Sequence, residues 1–367
     1  MSSTPSHSAF TTLPIVDMTL LFSDNIDDRR QFAKSLDQAT RDAGFLYLKG
    51  HGINPDLISR LKQETKQYFA QDYETKMHHY IGRSNNHSGY VPQGEEQFYD
   101  DSGRTSGDTD PISRPDKTAD LKEAYDIGPE SSSLMARITS NGCNQWPDNL
   151  AFKQAASDYY QAMLDLSRKL FSGFAMALGL AEDHFTASLS KPPSQLRLIH
   201  YFDNPNASAN DSGIGAHTDY EFFTILLPTS PGLQALNGAG EWVDIPVLDD
   251  CFVINIGDMM EVASHGHYMA TSHRVRQVKE ERYSFPFFAS LDYDTRVEPI
   301  PALAKKAAGE HQPEQTDSSL VCGDHLLAQT IQTFAYLKKR LANGEIELPD
   351  GSRELSSFGQ LASAVAE

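Results

Sequence analysis

With 367 residues and 31 basic against 50 acidic side chains, a net charge of -19, the chain has length enough for a substantial core and repels nucleic acid and anionic membrane surfaces. Three widely spaced cysteines, Cys143, Cys251 and Cys322, write no disulfide framework or zinc knuckle, which suits a reducing, cytoplasmic setting. The opening MSSTPSHSAF has no basic start followed by an apolar run, and no stretch reaches membrane-spanning length, so the expectation is a soluble protein, monomer or homodimer, acting on a small molecule.

In chain order, TTLPIVDM reads as a short strand and the acidic DNIDDRR opens a helix running to about Asp42. FLYLKGHGI is a buried strand bounded by Gly44 and Gly50, and His51 in the turn after it, without a partner motif, is read as structural or exposed. Asn54 to His79 is a second helix, with Leu57, Leu61, Tyr68 and Phe69 near helical spacing and Asp56 in its first turn. Between Asn85 and Arg114 the composition shifts to Gly, Ser, Asp and Thr, ending in GRTSGDTDP, which marks a long loop or lid. Asn149 to Leu180 is a long helix whose stripe of Tyr159, Met163, Leu166, Leu170, Phe174 and Leu178 reads as core.

From Ser194 the period changes to two. QLRLIHYF, GIGAHTDY, EFFTILLP, GLQALN, EWVDIP and CFVINIGD follow one another with turn residues between, the pattern of a sandwich or barrel and here of a jelly roll. Alternation in QLRLIHYF puts Arg197, Ile199 and Tyr201 on one face. In GIGAHTDY the same alternation brings His217 and Asp219 together. A third candidate, His273, stands in ATSHRV. Two histidines and one carboxylate on one face of an octahedral ion leave three positions open for chemistry. Beyond His273, ERYSFPFF places Arg282 and Ser284 two apart on a strand, a fork and a hydroxyl that share a face and suit a carboxylate.

HTD at 217–219, NIGD at 255–258, SHRV at 272–275 and RYSFPFF at 282–288 resemble, in order and spacing, the iron(II)/2-oxoglutarate-dependent oxygenases, in their isopenicillin N synthase-like branch. The similarity runs from about Thr12 to about Arg340. It implies a mixed α and β fold: a double-stranded β-helix (jelly roll) core with flanking N-terminal and C-terminal helices. The chain would divide into an N-terminal region (1–190) packed on the barrel, a catalytic core (191–300) and a C-terminal helical region (301–367), together one catalytic unit.

The resemblance further implies that His217, Asp219 and His273 hold Fe(II), that 2-oxoglutarate chelates it, and that Arg282, Ser284 and Tyr201 hold the distal carboxylate. O2 is the oxidant and ascorbate a candidate reductant. Oxidation of a C–H bond would be coupled to formation of succinate and carbon dioxide, as hydroxylation, desaturation or cyclisation in natural-product biosynthesis.

Asp258 is expected in a turn rather than on the metal, as are His265 and His267 in HGHY, which departs from the family's usual asparagine-glycine turn. Candidate substrate contacts are Arg197, Tyr220, Phe222, Phe288, Tyr90 and Tyr125. For the aromatics the alternative is barrel packing, and for Arg197 an ordinary structural carboxylate. A helix from Gly323 to Leu341 would close the mouth. Three other readings stand: an oxidase or cyclase that does not use 2-oxoglutarate and shares the arginine-serine pair, a catalytically silent jelly-roll binding protein, and a zinc hydrolase on the same three ligands.

Overall fold

The computed structural model describes residues 8–96, 121–130, 143–204, 212–277, 279–301, 303 and 319–350. An eight-stranded sheet runs in the order β1 (Ile15–Asp17), β2 (Phe45–Lys49), β10 (Cys251–Ile256), β7 (Phe223–Pro228), β12 (Arg282–Ala289), β5 (Gln195–Tyr201), β4 (Lys122–Ile127) and β3 (Gly89–Val91). A four-stranded sheet is ordered β6 (Ser212–His217), β11 (His273–Arg276), β8 (Leu233–Leu236) and β9 (Trp242–Asp244). All the pairs except β1–β2 are antiparallel. The two sheets form the jelly-roll core, and β13 (Arg296–Val297) and β14 (Leu320–Val321) add a small ribbon.

Helices back the large sheet. The first, α1 (Ile26–Ala43), starts where the Asn25 side chain accepts from Asp27 N and stops at Gly44, whose φ of 64° is cheap only for glycine. The long α4 (Leu150–Ala177) is capped by Asn149 and buries the predicted stripe from Tyr159 to Phe174. It packs on α1, on α2 (Pro55–Phe69) and on β12. Strand alternation then divides the core: Leu196 and Leu198 point to the helices, while Ile199 and Tyr201 point between the sheets with Ile214 and Val275.

Two expected helices are broken. The segment expected as one helix over 54–79 ends at Phe69 and restarts as α3 (Tyr73–Met77), because Asp72 caps a new first turn by accepting from Thr75 N at 2.8 Å. The C-terminal helix divides into α6 (Cys322–Thr333) and α7 (Ala335–Ala342) around Phe334, which is extended at φ -89° and ψ 129°. Glu95 causes that break: its carbonyl accepts from Ala335 N and its carboxylate from Tyr336 N, both at 2.9 Å. GRTSGDTDP, the connector from 304 to 318 and the tail beyond 350 lie outside the described residues. No helix among the described residues is long and apolar enough to cross a membrane.

Candidate active site

His217 ends β6 and His273 opens β11, and the two are direct partners in that antiparallel pair. Asp219 lies two residues past the end of β6 rather than on the strand, so the turn, not strand alternation, aims it. The turn is held to the segment after β10: Asp258 N donates to Asp219 O at 2.9 Å and Gly257 N to Phe222 O at 3.1 Å. One ligand atom from each of His217, Asp219 and His273 lies within 4.8 Å of the others. Asp219 Oδ1 is 3.7 Å from His217 Nε2 and 3.5 Å from His273 Nε2.

Groups around the triad fix which atoms face inward. His217 Nδ1 donates to Gly215 O at 2.9 Å and His273 Nδ1 to Thr271 O at 3.1 Å, which leaves each Nε2 lone pair for a metal. Asp219 Oδ2 accepts from Asn255 Nδ2 at 2.6 Å and from Thr224 Oγ1, leaving Oδ1 as the third donor. Burial and the neighbouring His273 push the His217 pKa down to about 3. Burial works against the Asp219 carboxylate, but His273 and His217 more than offset it and hold its pKa below the ordinary range. A neutral imidazole and an ionised carboxylate are the forms that ligate, so the donor set fits Fe(II).

Arg282, Ser284 and Tyr201 line the same cavity. Arg282 is paired with Tyr201 across β12 and β5, and its guanidinium stacks over the Tyr201 ring with the carbon 4.5 Å from the centroid. The side chain is 0 % exposed and Nε donates to Ser230 O at 3.1 Å, yet Nη1 and Nη2 are buried with no hydrogen-bond partner among the described residues. Burying a guanidinium with both terminal nitrogens unmet is costly unless an anion completes it. Ser284 and Tyr201 line the cavity beside it, so the residues fit a ligand carboxylate.

The remaining candidates separate. Arg197, Tyr220 and Phe288 line the cavity. Arg197 is already engaged, by Asp126 at 2.7 and 2.8 Å and by Glu96, which is the structural pairing weighed above. Tyr220 OH bonds Thr333 Oγ1 at 2.9 Å, tying the metal-bearing turn to α6.

Phe222 is a correction: it is 1 % exposed and packs on Phe171 and Phe185 beneath the sheet. Tyr90 and Tyr125 are corrected likewise. The register sets Tyr90 opposite Tyr125 and Tyr125 opposite Leu198, on the helix-facing side. Tyr125 packs on Phe152 of α4, and the two hydroxyls go to Glu123 and to Gln145 O.

His51 is structural, its Nδ1 accepting from Ile53 N. Asp258 opens the short helix α5 (Asp258–Ala263), its carboxylate 3.7 Å from His325 Nε2. His265 occupies a turn at φ 53°, and His267 meets Asp37 at 3.1 Å. Sequence reasoning missed Asn255, Thr224, Glu96, Lys122, Glu221 and Phe334. Polar residues inside the apolar runs CFVINI and FFTILL were the available signal for the first two.

Residues 13–149 match the family described as non-haem dioxygenase in morphine synthesis, N-terminal, and residues 193–290 match the 2OG-Fe(II) oxygenase superfamily. A homoarginine-6-hydroxylase of Arabidopsis thaliana is 32 % identical, covering 89 % of this chain and 98 % of its own. The chain belongs to the 2OG-Fe(II) oxygenase superfamily, in its isopenicillin N synthase-like family.

It is an Fe(II)/2-oxoglutarate-dependent dioxygenase, and further relatives and solved structures resemble it. A homoarginine-6-hydroxylase of Glycine max is 31 % identical over 89 % of this chain and 99 % of its own. Isopenicillin N synthase of Penicillium chrysogenum is 29 % identical over 82 % and 89 %. A 2OG-Fe(II) oxygenase family structure from Caulobacter crescentus superposes with a TM-score of 0.70 at 26 % identity, over 91 % of this chain and 99 % of that one. The Neurospora crassa T7H structure with alpha-KG, at TM-score 0.69 and 23 % identity over 92 % and 99 %, shares the fold.

Proposed function

We propose that this oxygenase hydroxylates a C–H bond of an amino-acid-sized small molecule, with His217, Asp219 and His273 as the iron ligands and Arg282, Ser284 and Tyr201 as the hold on the distal carboxylate of 2-oxoglutarate. The carrying observation is the pair of buried nitrogens Nη1 and Nη2 of Arg282, unpartnered among the described residues, in the cavity that His217, Asp219 and His273 also line. A zinc hydrolase has no use for such a clamp. Ascorbate would keep the iron ferrous.

When bound, Fe(II) and 2-oxoglutarate would activate O2, which is the oxidant: two electrons come from decarboxylation of 2-oxoglutarate to succinate and carbon dioxide and two from the substrate C–H bond, so that one oxygen atom ends in the succinate carboxylate and the other in the product hydroxyl. The chain's own work is placement. Gly215 and Thr271 carbonyls orient the imidazoles, Asn255 and Thr224 turn Asp219, and Ile214, Leu226, Leu233 and Val275 give the cavity apolar walls that exclude water. Homoarginine hydroxylation by the relatives so named supports an amino-acid-sized substrate. Cys143, Cys251 and Cys322 are free, which supports a reducing compartment such as the cytoplasm.

The test is succinate formation from 2-oxoglutarate in air, with amino acids screened as accelerators. His217→Ala and Asp219→Ala are expected to abolish it. Wild-type turnover in either variant contradicts the ligand assignment.

A further inference from the structure

Two charged side chains of opposite sign face the cavity without a side-chain partner among the described residues. Arg282 is used by the reading above, and Glu221 is not. Glu221 lines the cavity, and no side chain among the described residues bonds to its carboxylate.

The nearby cations are already engaged. Arg197 is held by Asp126 and Glu96, and Lys122 by Glu96. With the metal ligand Asp219 and the clamp Arg282 set aside, this cluster carries two cations, Lys122 and Arg197, against three carboxylates, Glu96, Asp126 and Glu221. One carboxyl group more than the cations can pair is left over, and burial favours its neutral form until a cation faces it. A half-buried carboxylate whose neighbouring cation, Arg197, is already bound by two other carboxylates is a liability unless a ligand supplies a further positive charge.

Register places Glu221 away from the clamp. Along β7 and β12, Ser284 pairs with Pro228 at one end and Ala289 pairs with Phe223 at the other. Arg282 lies two residues before Ser284 and Glu221 two residues before Phe223, so the two charges stand at opposite ends of this strand pair. Thr224, which bonds the triad carboxylate, is at the Glu221 end. A co-substrate running from the triad to Arg282 leaves the Glu221 side open. There Tyr220 is bonded to Thr333, and Thr330 and Phe334 of the C-terminal helical segment complete the wall.

We propose that Glu221 selects the primary substrate by pairing with a protonated nitrogen on it, an ammonium or a guanidinium. Glu221 is a specificity-determining residue, and its role rests on the oxygenase reading of the same site. A buried ion pair that loses one partner costs several kcal/mol, enough for a preference of roughly 30-fold or more between a cation and its neutral isostere.

The experiment uses the full chain, anaerobic and loaded with Fe(II) and 2-oxoglutarate. Loading is checked first by the visible charge-transfer band of the chelate. Calorimetric titration then compares L-arginine with L-citrulline and L-lysine with L-norleucine, in the wild type, Glu221→Gln and Glu221→Asp. In the wild type at least one cationic probe should bind roughly 30-fold or more tightly than its neutral counterpart. Glu221→Gln should reduce that preference to within about threefold and Glu221→Asp should restore part of it, a change in selectivity that a merely structural role does not produce. The arginine and lysine arms separate a guanidinium site from an ammonium site.

Equal binding of cationic and neutral probes, no binding of either cation to the loaded wild type, or a preference that survives in Glu221→Gln overturns the role of Glu221. A wild type without the chelate band overturns the underlying oxygenase reading instead.

Discussion

Asn255 Nδ2 donates to Asp219 Oδ2 at 2.6 Å from near the C-terminal end of the buried strand β10. Thr224 Oγ1 donates to the same oxygen, so the carboxylate is rotated until only Oδ1 faces the two imidazoles. Groups of this kind typically carry 10–100-fold of metal affinity. Asn255→Ala should weaken Fe(II) binding by about that factor, read by anaerobic Fe(II) titration. An unchanged dissociation constant would remove Asn255 from the metal site.

Arg282→Ala should act on the co-substrate more than on the metal. Removing one partner of a buried charged pair costs about 2–5 kcal/mol. The KM for 2-oxoglutarate should therefore rise roughly 30-fold or more, while Fe(II) affinity measured without 2-oxoglutarate stays close to the wild type. Arg282→Lys should recover only part of the loss, since a point charge cannot reproduce the fork.

A separate buried network sets an acid limit on stability. Glu123 accepts from Lys76 Nζ at 2.7 and 2.9 Å, from Tyr90 OH at 2.5 Å and from His200 Nδ1 at 2.8 Å. Burial opposes its charge, but His200, Lys76 and Tyr90 more than offset that and depress its folded pKa. Its contribution is therefore fully present above the unfolded carboxylate pKa and is lost as pH falls through the lower folded value. Glu123→Gln should cost about 3–5 kcal/mol at neutral pH and flatten the loss of stability below about pH 4, measured by urea unfolding across pH. A parallel pair of stability curves would contradict this.

Gly257 is needed for closeness, not for a left-handed turn, since its φ is -109°. A Cβ there would stand 2.2 Å from Glu221 O and 3.0 Å from Asp219 O, both backbone atoms that cannot swing aside. Gly257→Ala should destabilise by about 1–3 kcal/mol and also weaken Fe(II) binding, because the displaced segment carries Asp219. Native metal affinity in a destabilised variant would separate the two effects.

The grouping of His217, Asp219 and His273, and of Arg282 with Ser284, in one cavity was legible because each depends on residue types at fixed spacing: HTD, a later histidine, and an arginine with a serine two residues on. The face of β5 was legible for the same reason, since a two-residue period decides that Arg197 and Tyr201 point together. The tyrosines at 90 and 125 were not. Which face of β4 meets the helices depends on its pairing with β5, a contact across some seventy residues that no local pattern encodes. The break at Phe334 was hidden similarly, because it is made by Glu95, far away in the chain. Glu221 sits in a run of aromatics and looks like an ordinary surface charge until the cavity around it is seen.

The most direct measurement is an anaerobic Fe(II) titration with and without 2-oxoglutarate, following the weak visible charge-transfer band of the chelate in the wild type and in Arg282→Ala. The site described here predicts a band that requires both components and that, at a 2-oxoglutarate concentration saturating for the wild type, is much reduced in Arg282→Ala. Bound iron with no band on adding 2-oxoglutarate, or a band of equal strength in Arg282→Ala, would contradict the assignment of His217, Asp219, His273 and Arg282.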